Sequence, residues 1–249
     1  MNRTHKHTYH LTAGECDATG SLPLPLLVER LIEVATEHAN MLGIGYDRLK
    51  LSGISWVLSR MSVEMSRYPA INDTYSITTW IESFNHRFSE RNMCITDAQG
   101  HIIGYARTVW AAIDFRRRSM ADLPQDVSLP VGQYPCPINK MPRMFPISQE
   151  CAEFEYTFRY CDLDFNRHVN TVCYIELILN RWSLADYDAR IISRFDIMFS
   201  KECHFMESVN VRTLQTEPVS ECELIRGDER VVAARITWAP RVDTQDKQI

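Results

Sequence analysis

Arg60-Met-Ser-Val-Glu-Met-Ser-Arg-Tyr-Pro-Ala-Ile-Asn-Asp-Thr-Tyr-Ser-Ile77 lies without a gap on Arg194-Phe-Asp-Ile-Met-Phe-Ser-Lys-Glu-Cys-His-Phe-Met-Glu-Ser-Val-Asn-Val211, an offset of 134 residues (194 − 60). The arginines, Ser66 with Ser200, Asp73 with Glu207 and the apolar beats coincide. Towards the C-terminus, Ala106-Arg-Thr-Val-Trp110 lies on Ala234-Arg-Ile-Thr-Trp238 at an offset of 128 (238 − 110). Towards the N-terminus, Glu15-Cys-Asp17 lies on Asp162-Leu-Asp164 at an offset of 147 (164 − 17). Three blocks in one order, with offsets that differ only by loop lengths, indicate a tandem duplication.

Each half reads as one helix followed by strands. Apolar residues at 27, 31, 34 and 35 give Leu26 to Asn40 helical spacing, with Gly43 ending the helix, and the second-half equivalent is Val172 to about Trp182. Met61, Val63 and Met65 alternate with Ser62, Glu64 and Ser66, and Tyr75, Ile77 and Thr79 alternate likewise, the period of half-buried strands. Asp97-Ala-Gln-Gly100 and Arg226-Gly-Asp228 are hairpin turns by composition. One helix against an antiparallel sheet, made twice, is an α+β fold. Between them, six of the eleven prolines fall from Pro124 to Pro146, so the chain there is an extended linker. The expected division is 1–125, linker 126–147, and 148–249.

Composition narrows the function. Lys and Arg number 27 against 32 Asp and Glu, a net charge of −5, so no whole-chain basic field draws the protein to nucleic acid or anionic membrane. With 45% hydrophobic and 24% charged residues, the chain is globular rather than disordered. No signal peptide or transmembrane stretch is visible, and the expectation is a cytoplasmic protein. The eight cysteines form no C-x-x-C pair and no cluster with histidine, so no metal and no disulfide framework is expected. His5, His7 and His10 read as a tail without ligand partners.

Polar residues concentrate before the second helix, in Asp162-Leu-Asp164-Phe-Asn166-Arg-His168-Val-Asn170. The duplication supplies an internal control. Asp164 meets Asp17, but Asn166 meets Thr19, His168 meets Ser21, and Glu202 meets Tyr68. Groups that served only the fold should persist in both halves, so a single active site in the second half is favoured.

Asp164-x-Asn166-x-His168-Val-Asn170, with Tyr174 and the more distant Glu202-Cys203, resembles the acyl-acyl carrier protein thioesterases of plants and bacteria. Trp56, Thr79-Trp80, Trp110 and the tandem arrangement extend the resemblance over nearly the whole chain. Thr171 departs from it, standing where many members have a second Asn. The plastid targeting segment of the plant enzymes is also missing, which suggests a bacterial form. The resemblance implies a tandem hotdog fold, with the first half binding the acyl chain and the second carrying the catalytic set. It further implies hydrolysis of fatty acyl-carrier thioesters without cofactor, acyl carrier protein as partner, and a monomer or homodimer. The alternative is a hotdog acyl-CoA thioesterase. A hotdog hydratase would usually have proline after the Asn, where this chain has Arg167, and an acyl-binding regulator would bring a DNA-binding segment.

Thioester hydrolysis needs an activated water, a stabilised oxyanion and a proton for the thiol. Glu202, read as lying on an apolar strand, suits a general base if burial raises its pKa. His168 suits holding the water or protonating sulfur, Asp164 orienting His168, and Asn166 positioning water or thioester. Backbone N–H groups near 168–170 are expected oxyanion donors. Cys203 could act as nucleophile, but neighbours on a strand point oppositely, and Pro69 occupies its place in the first half. Because acyl carrier proteins are acidic, Arg116, Arg117 and Arg118 form the candidate docking patch. Trp56, Met61, Met65 and Trp80 are candidates for the acyl pocket.

Overall fold

The computed structural model describes residues 3–123, 127, 129–131 and 134–241. The expected boundary at 125/126 lies outside them, as do both chain ends. The first half contains β1 (Thr4–His10), α1 (Leu24–Met41), α2 (Tyr46–Lys50), β2 (Ile54–Met65), β3 (Thr74–Asn85), β4 (Phe88–Asp97), β5 (Ile102–Asp114) and the short β6 (Ser119–Met120). The second contains β7 (Ala152–Thr157), α3 (Thr171–Leu179), α4 (Leu184–Ala189), β8 (Arg190–Phe199), β9 (Ser208–Thr216), β10 (Val219–Arg226) and β11 (Glu229–Pro240). All strands join one antiparallel sheet in the order β1-β3-β4-β5-β2-β8-β11-β10-β9-β7, with β6 against β5. Read inward from either edge, the two halves present equivalent strands in the same sequence.

The register carries the duplication to single residues. Leu58 pairs with Trp110 and Ile192 with Trp238, while Arg60 pairs with Val109 and Arg194 with Thr237. Both pairings slip at this same point, a shared bulge. At the centre, β2 and β8 run antiparallel with Ser62 opposite Asp196, its own counterpart at the 134-residue offset. A local two-fold axis therefore passes through this pair. Ser62 Oγ donates to Asp196 Oδ1 at 2.5 Å, and Arg194 Nε holds Asp196 Oδ2 at 2.7 Å.

Helix α1 forms because Leu27, Val28, Leu31, Val34 and Ala35 recur at three- and four-residue steps and all are buried. Its stripe packs on Tyr75, Ile77, Met61, Val63 and Met65 in the main core. Truncating a residue such as Leu31 there costs about 2–5 kcal/mol. Helix α3 starts at the equivalent position, where the Asn170 side chain accepts the Val172 N–H at 3.0 Å. Asn170 alone supplies this cap, so Thr171 in place of a second Asn does not remove it. The expected run to Trp182 stops at Leu179, because Ser183 and Asp186 cap a new helix, α4.

The described part of the proline-rich segment is irregular, as expected, but it is more than a spacer. It crosses the sheet face turned away from the helices. The Tyr134 carbonyl accepts from Trp80 Nε1, Ile138 and Asn139 carbonyls accept from Arg107 and Arg194, and Arg212 reaches the Ile147 carbonyl. Its own Cys136, Ile138 and Ile147 are buried. The histidines near the N-terminus are also not a loose tail: they lie on β1, where His5 and His7 hydrogen-bond Glu37 of α1.

Candidate active site

The loop that carries the polar motif is built twice. In the first half, Asp17 Oδ1 accepts the backbone N–H groups of Thr19 and Ser21 at 2.8 and 3.2 Å. In the second, Asp164 Oδ1 accepts those of Asn166 and His168 at 2.8 and 3.0 Å. Gly20 sits at φ +73° and its counterpart Arg167 at φ +67°. Asp164 is thus a turn-former, not the expected orienter of the His168 ring. The internal control points to the same conclusion, since this aspartate is the one member that both halves keep.

What differs is what the turn presents. The bridge Ser21–Ala70 of the first half becomes His168–His204 in the second. The two imidazoles meet edge to face, with centroids 5.0 Å apart. His168 Nδ1 lies 3.6 Å from Glu202 Oε1, and Arg118 Nη2 donates to Glu202 Oε2 at 2.5 Å. One carboxylate oxygen therefore faces His168, and the other is held by a guanidinium from the opposite half of the molecule. Phe165 makes a second such contact, packing edge to face on Tyr46 of α2 at 5.6 Å. Asn166, exposed at the loop tip, has its amide Nδ2 3.5 Å from Asp164 Oδ2.

Several expectations need correction. Glu202 follows β8 in a loop instead of lying on a strand, and its side chain is 39% exposed, so it has not been buried. The Phe195–Phe199 stretch is the end of the apolar run; the chain then leaves the ladder to make the turn closed by His204 N–H on Glu207. The same turn closes in the first half with Ala70 N–H on Asp73. The backbone N–H groups of 168, 169 and 170 are occupied by Asp164, the Cys203 carbonyl and the Asp162 carbonyl, so they are not available oxyanion donors.

Cys203 points the other way from Glu202. It is fully buried, its N–H donates to the Tyr174 hydroxyl at 3.0 Å, and burial pushes its thiol above the ordinary range. Glu207 beside it would also be raised by its partial burial, but Arg226 at 2.6 Å and the His204 N–H hold its carboxyl low.

The arginine run divides. Arg116 and Arg117 are exposed in the β5–β6 turn, their N–H groups capped by Asp114, whereas Arg118, at φ +51°, turns into the site. Of the acyl-pocket candidates, Met61 and Met65 face the main core and Trp56 packs in two smaller clusters with Phe84. Trp80 lies on the opposite face, under the strap, and does not meet them.

Sequence reasoning missed Arg118 and His204 as members of the site. His204 had a signal: at the 134-residue offset it replaces Ala70, the same kind of one-sided exchange that singled out His168. Arg118 had none, because nothing in a run of three arginines says which one turns inward.

Among known proteins, residues 2–131 match the acyl-ACP thioesterase N-terminal domain and residues 147–240 the C-terminal domain. The chain is 24% identical to a chloroplastic dodecanoyl-[acyl-carrier-protein] hydrolase of Cinnamomum camphora, covering 95% of this chain and 68% of that protein. A chloroplastic palmitoyl-acyl carrier protein thioesterase of Gossypium hirsutum is likewise 24% identical, over 94% and 63%. The chain thus spans about two thirds of the length of these plant relatives. Among solved structures, an acyl-ACP thioesterase from Bacteroides thetaiotaomicron superposes with a TM-score of 0.89 at 28% identity, covering 95% of this chain and 98% of that one. A 12:0-ACP thioesterase from Umbellularia californica gives 0.82 at 21%, covering 97% and 99%, a likeness of fold. The architecture is the α+β double hotdog. No helix among the described residues is long and apolar enough to cross a membrane.

Proposed function

Because the chain belongs to the acyl-ACP thioesterase family, we propose that it hydrolyses the thioester of fatty acyl-acyl carrier protein, releasing free fatty acid. The observation that carries this reading is the pairing of His168 with Glu202 in one half only, inside a family match that spans both halves. In this reading, Glu202 Oε1 takes a proton from a water whose oxygen bonds to the thioester carbon, while Arg118 fixes the other carboxylate oxygen. The C–S bond then breaks, and the proton taken by Glu202 is relayed through His168 to the departing sulfur. The Asn166 amide, at the open loop tip, supplies a hydrogen bond to the carbonyl oxygen as it becomes an oxyanion.

The reading assigns the acyl chain to the first half (1–125) and chemistry to the second (148–249), joined by 126–147. Met61 and Met65 against α1 support the first assignment, and the one-sided polar set the second. Arg116 and Arg117, exposed beside Arg118, suit contact with an acidic carrier protein. Such a protein works where acyl carrier protein is found, the cytoplasm in a bacterium. Against a hydratase stands Arg167: proline cannot adopt its φ of +67°.

Purified protein incubated with acyl-carrier and acyl-CoA thioesters of several chain lengths tests the proposal. We expect kcat/KM at least about tenfold higher on carrier thioesters, the scale on which docking contacts discriminate. Equal or better turnover of acyl-CoA would transfer the function to the CoA class.

A further inference from the structure

On β1, every second residue turns towards α1, which brings His5 and His7 to one face. Glu37 of α1 meets both: His5 Nε2 is 2.7 Å and His7 Nδ1 3.0 Å from the same carboxylate oxygen, Oε2. The three ligand atoms lie within 4.8 Å of one another, and all three residues are half-buried. The rings are set by stacking, His7 on Tyr9 at 4.4 Å and His5 beside His38 at 6.3 Å.

We propose that His5, His7 and Glu37 bind a divalent transition-metal ion of the zinc type, fastening the edge strand β1 to helix α1. Two imidazoles and one carboxylate are the borderline donor set that suits zinc, cobalt or nickel, and they disfavour magnesium and calcium, which take oxygen. In a tetrahedral site with bonds of about 2.0–2.1 Å, neighbouring donors sit roughly 3.3 Å apart, so side-chain rotations of about half an ångström open the triad to admit the ion. The ion replaces the two contacts to Oε2, and each neutral ring keeps its proton on the nitrogen turned away. The fourth position opens to water on the exposed side.

The duplication argues that the fold does not need this cluster for itself. His5 pairs with Thr79 and His7 with Ile77, while their counterparts Ala152 and Phe154 pair with Thr213 and Val211 in the same register. The second half thus closes the same strand on the same sheet with an alanine and a phenylalanine. Glu37 has no counterpart, since α3 stops at Leu179. The two strand ligands appear where the matching positions carry alanine and phenylalanine, just as the catalytic set appears in one half only. The site is far in sequence from Glu202 and takes no part in the proposed hydrolysis, so it stands or falls independently of that function.

The test uses untagged full-length protein, stripped with chelator and then titrated with Zn²⁺ against a chromophoric competitor. His168, Glu202 and His204 form the other grouping of this kind among the described residues, so His204→Ala serves as the control. We expect one ion per chain, unaffected by His204→Ala and lost in the double variant His5→Ala/His7→Phe. That variant installs the residues of the second half and should fold. Zinc at about 100 times its Kd should raise Tm by about 5–10 °C in the wild type and not in the double variant. Glu37→Gln, nearly isosteric, should weaken binding at least about tenfold. No binding, or binding that survives the double variant or disappears with His204→Ala, would overturn the proposal.

Discussion

Residues 12–22 and 159–169 follow one backbone path and end in different chemistry. Both make a turn of 3-10 helix closed by a carboxylate, Glu15 on the Thr12 N–H and Asp162 on the Arg159 N–H. Both then bend around an aspartate and lay an N–H on a carbonyl of the neighbouring loop, Leu22 on Pro69 and Val169 on Cys203. The residues that repeat hold the loop; of those that do not repeat, His168 and His204 gather beside Glu202, and Asn166 is exposed at the loop tip. The difference teaches that a conspicuous carboxylate in a polar motif is first accounted for by the backbone donors around it.

The largest effect should come from the unrepeated residues. Glu202→Ala and His168→Ala are each expected to lower kcat on acyl-carrier thioester by about 10²-fold or more, the scale of lost acid–base help, with little change in Tm. If both variants keep near-wild-type turnover, the unrepeated set is not the active site.

The repeated residues give the next test. Asp17→Ala and Asp164→Ala should destabilise the protein alike, by about 1–2 kcal/mol each in chemical denaturation, since each strands two backbone donors. Only Asp164→Ala should also lower kcat, because only its turn displays His168. A loss of activity in Asp164→Ala with unchanged stability would restore the aspartate to a direct part in the chemistry.

Within the arginine run, Arg118→Gln is expected to lower kcat about tenfold by freeing the Glu202 carboxylate. Reversing Arg116 and Arg117 to Glu should instead raise KM for the carrier substrate severalfold and leave a small acyl thioester unaffected, as rim charges act on encounter. Identical phenotypes would erase the division between the inward and outward arginines.

The smallest effect on rate belongs to Cys203. Cys203→Ala should keep most activity and cost about 1 kcal/mol of stability through lost packing. With its pKa raised by burial, the thiol stays protonated at pH 7, and thiolate appears only at more alkaline pH. Iodoacetamide at pH 7 should therefore leave it unmodified, as mass spectrometry of the folded enzyme would show. A trapped acyl-cysteine would replace the activated water with a covalent mechanism.

Much of the fold was legible because a duplication writes the pattern twice. The 134-residue offset carries Arg60 and Ser62, and the 128-residue offset Trp110, to partners that occupy equivalent register positions, and helix starts followed from apolar spacing. Glu202 was misplaced because Phe195–Phe199 reads as a strand, and nothing local says that the ladder ends before the next alternating residues. The strap read only as a linker, since proline spacing shows what a segment cannot be, whereas the arginines that bind its carbonyls lie far away in sequence. Long-range ion pairs such as Arg118 with Glu202 depend on the closed sheet and leave no periodicity.

The pair at the centre of the sheet bears on ancestry. In a dimer of identical chains, a residue on the symmetry axis faces its own copy, so only serine against serine or aspartate against aspartate could stand there. Two carboxylates in such contact would repel, and two serines would leave Arg194 with Glu64 but without its central partner. Joining the copies in one polypeptide frees the axial position from matching itself, and Ser62 with Asp196 is a combination that two identical chains cannot encode. The central hydrogen bond is thus a mark of fusion, written where symmetry had been strictest.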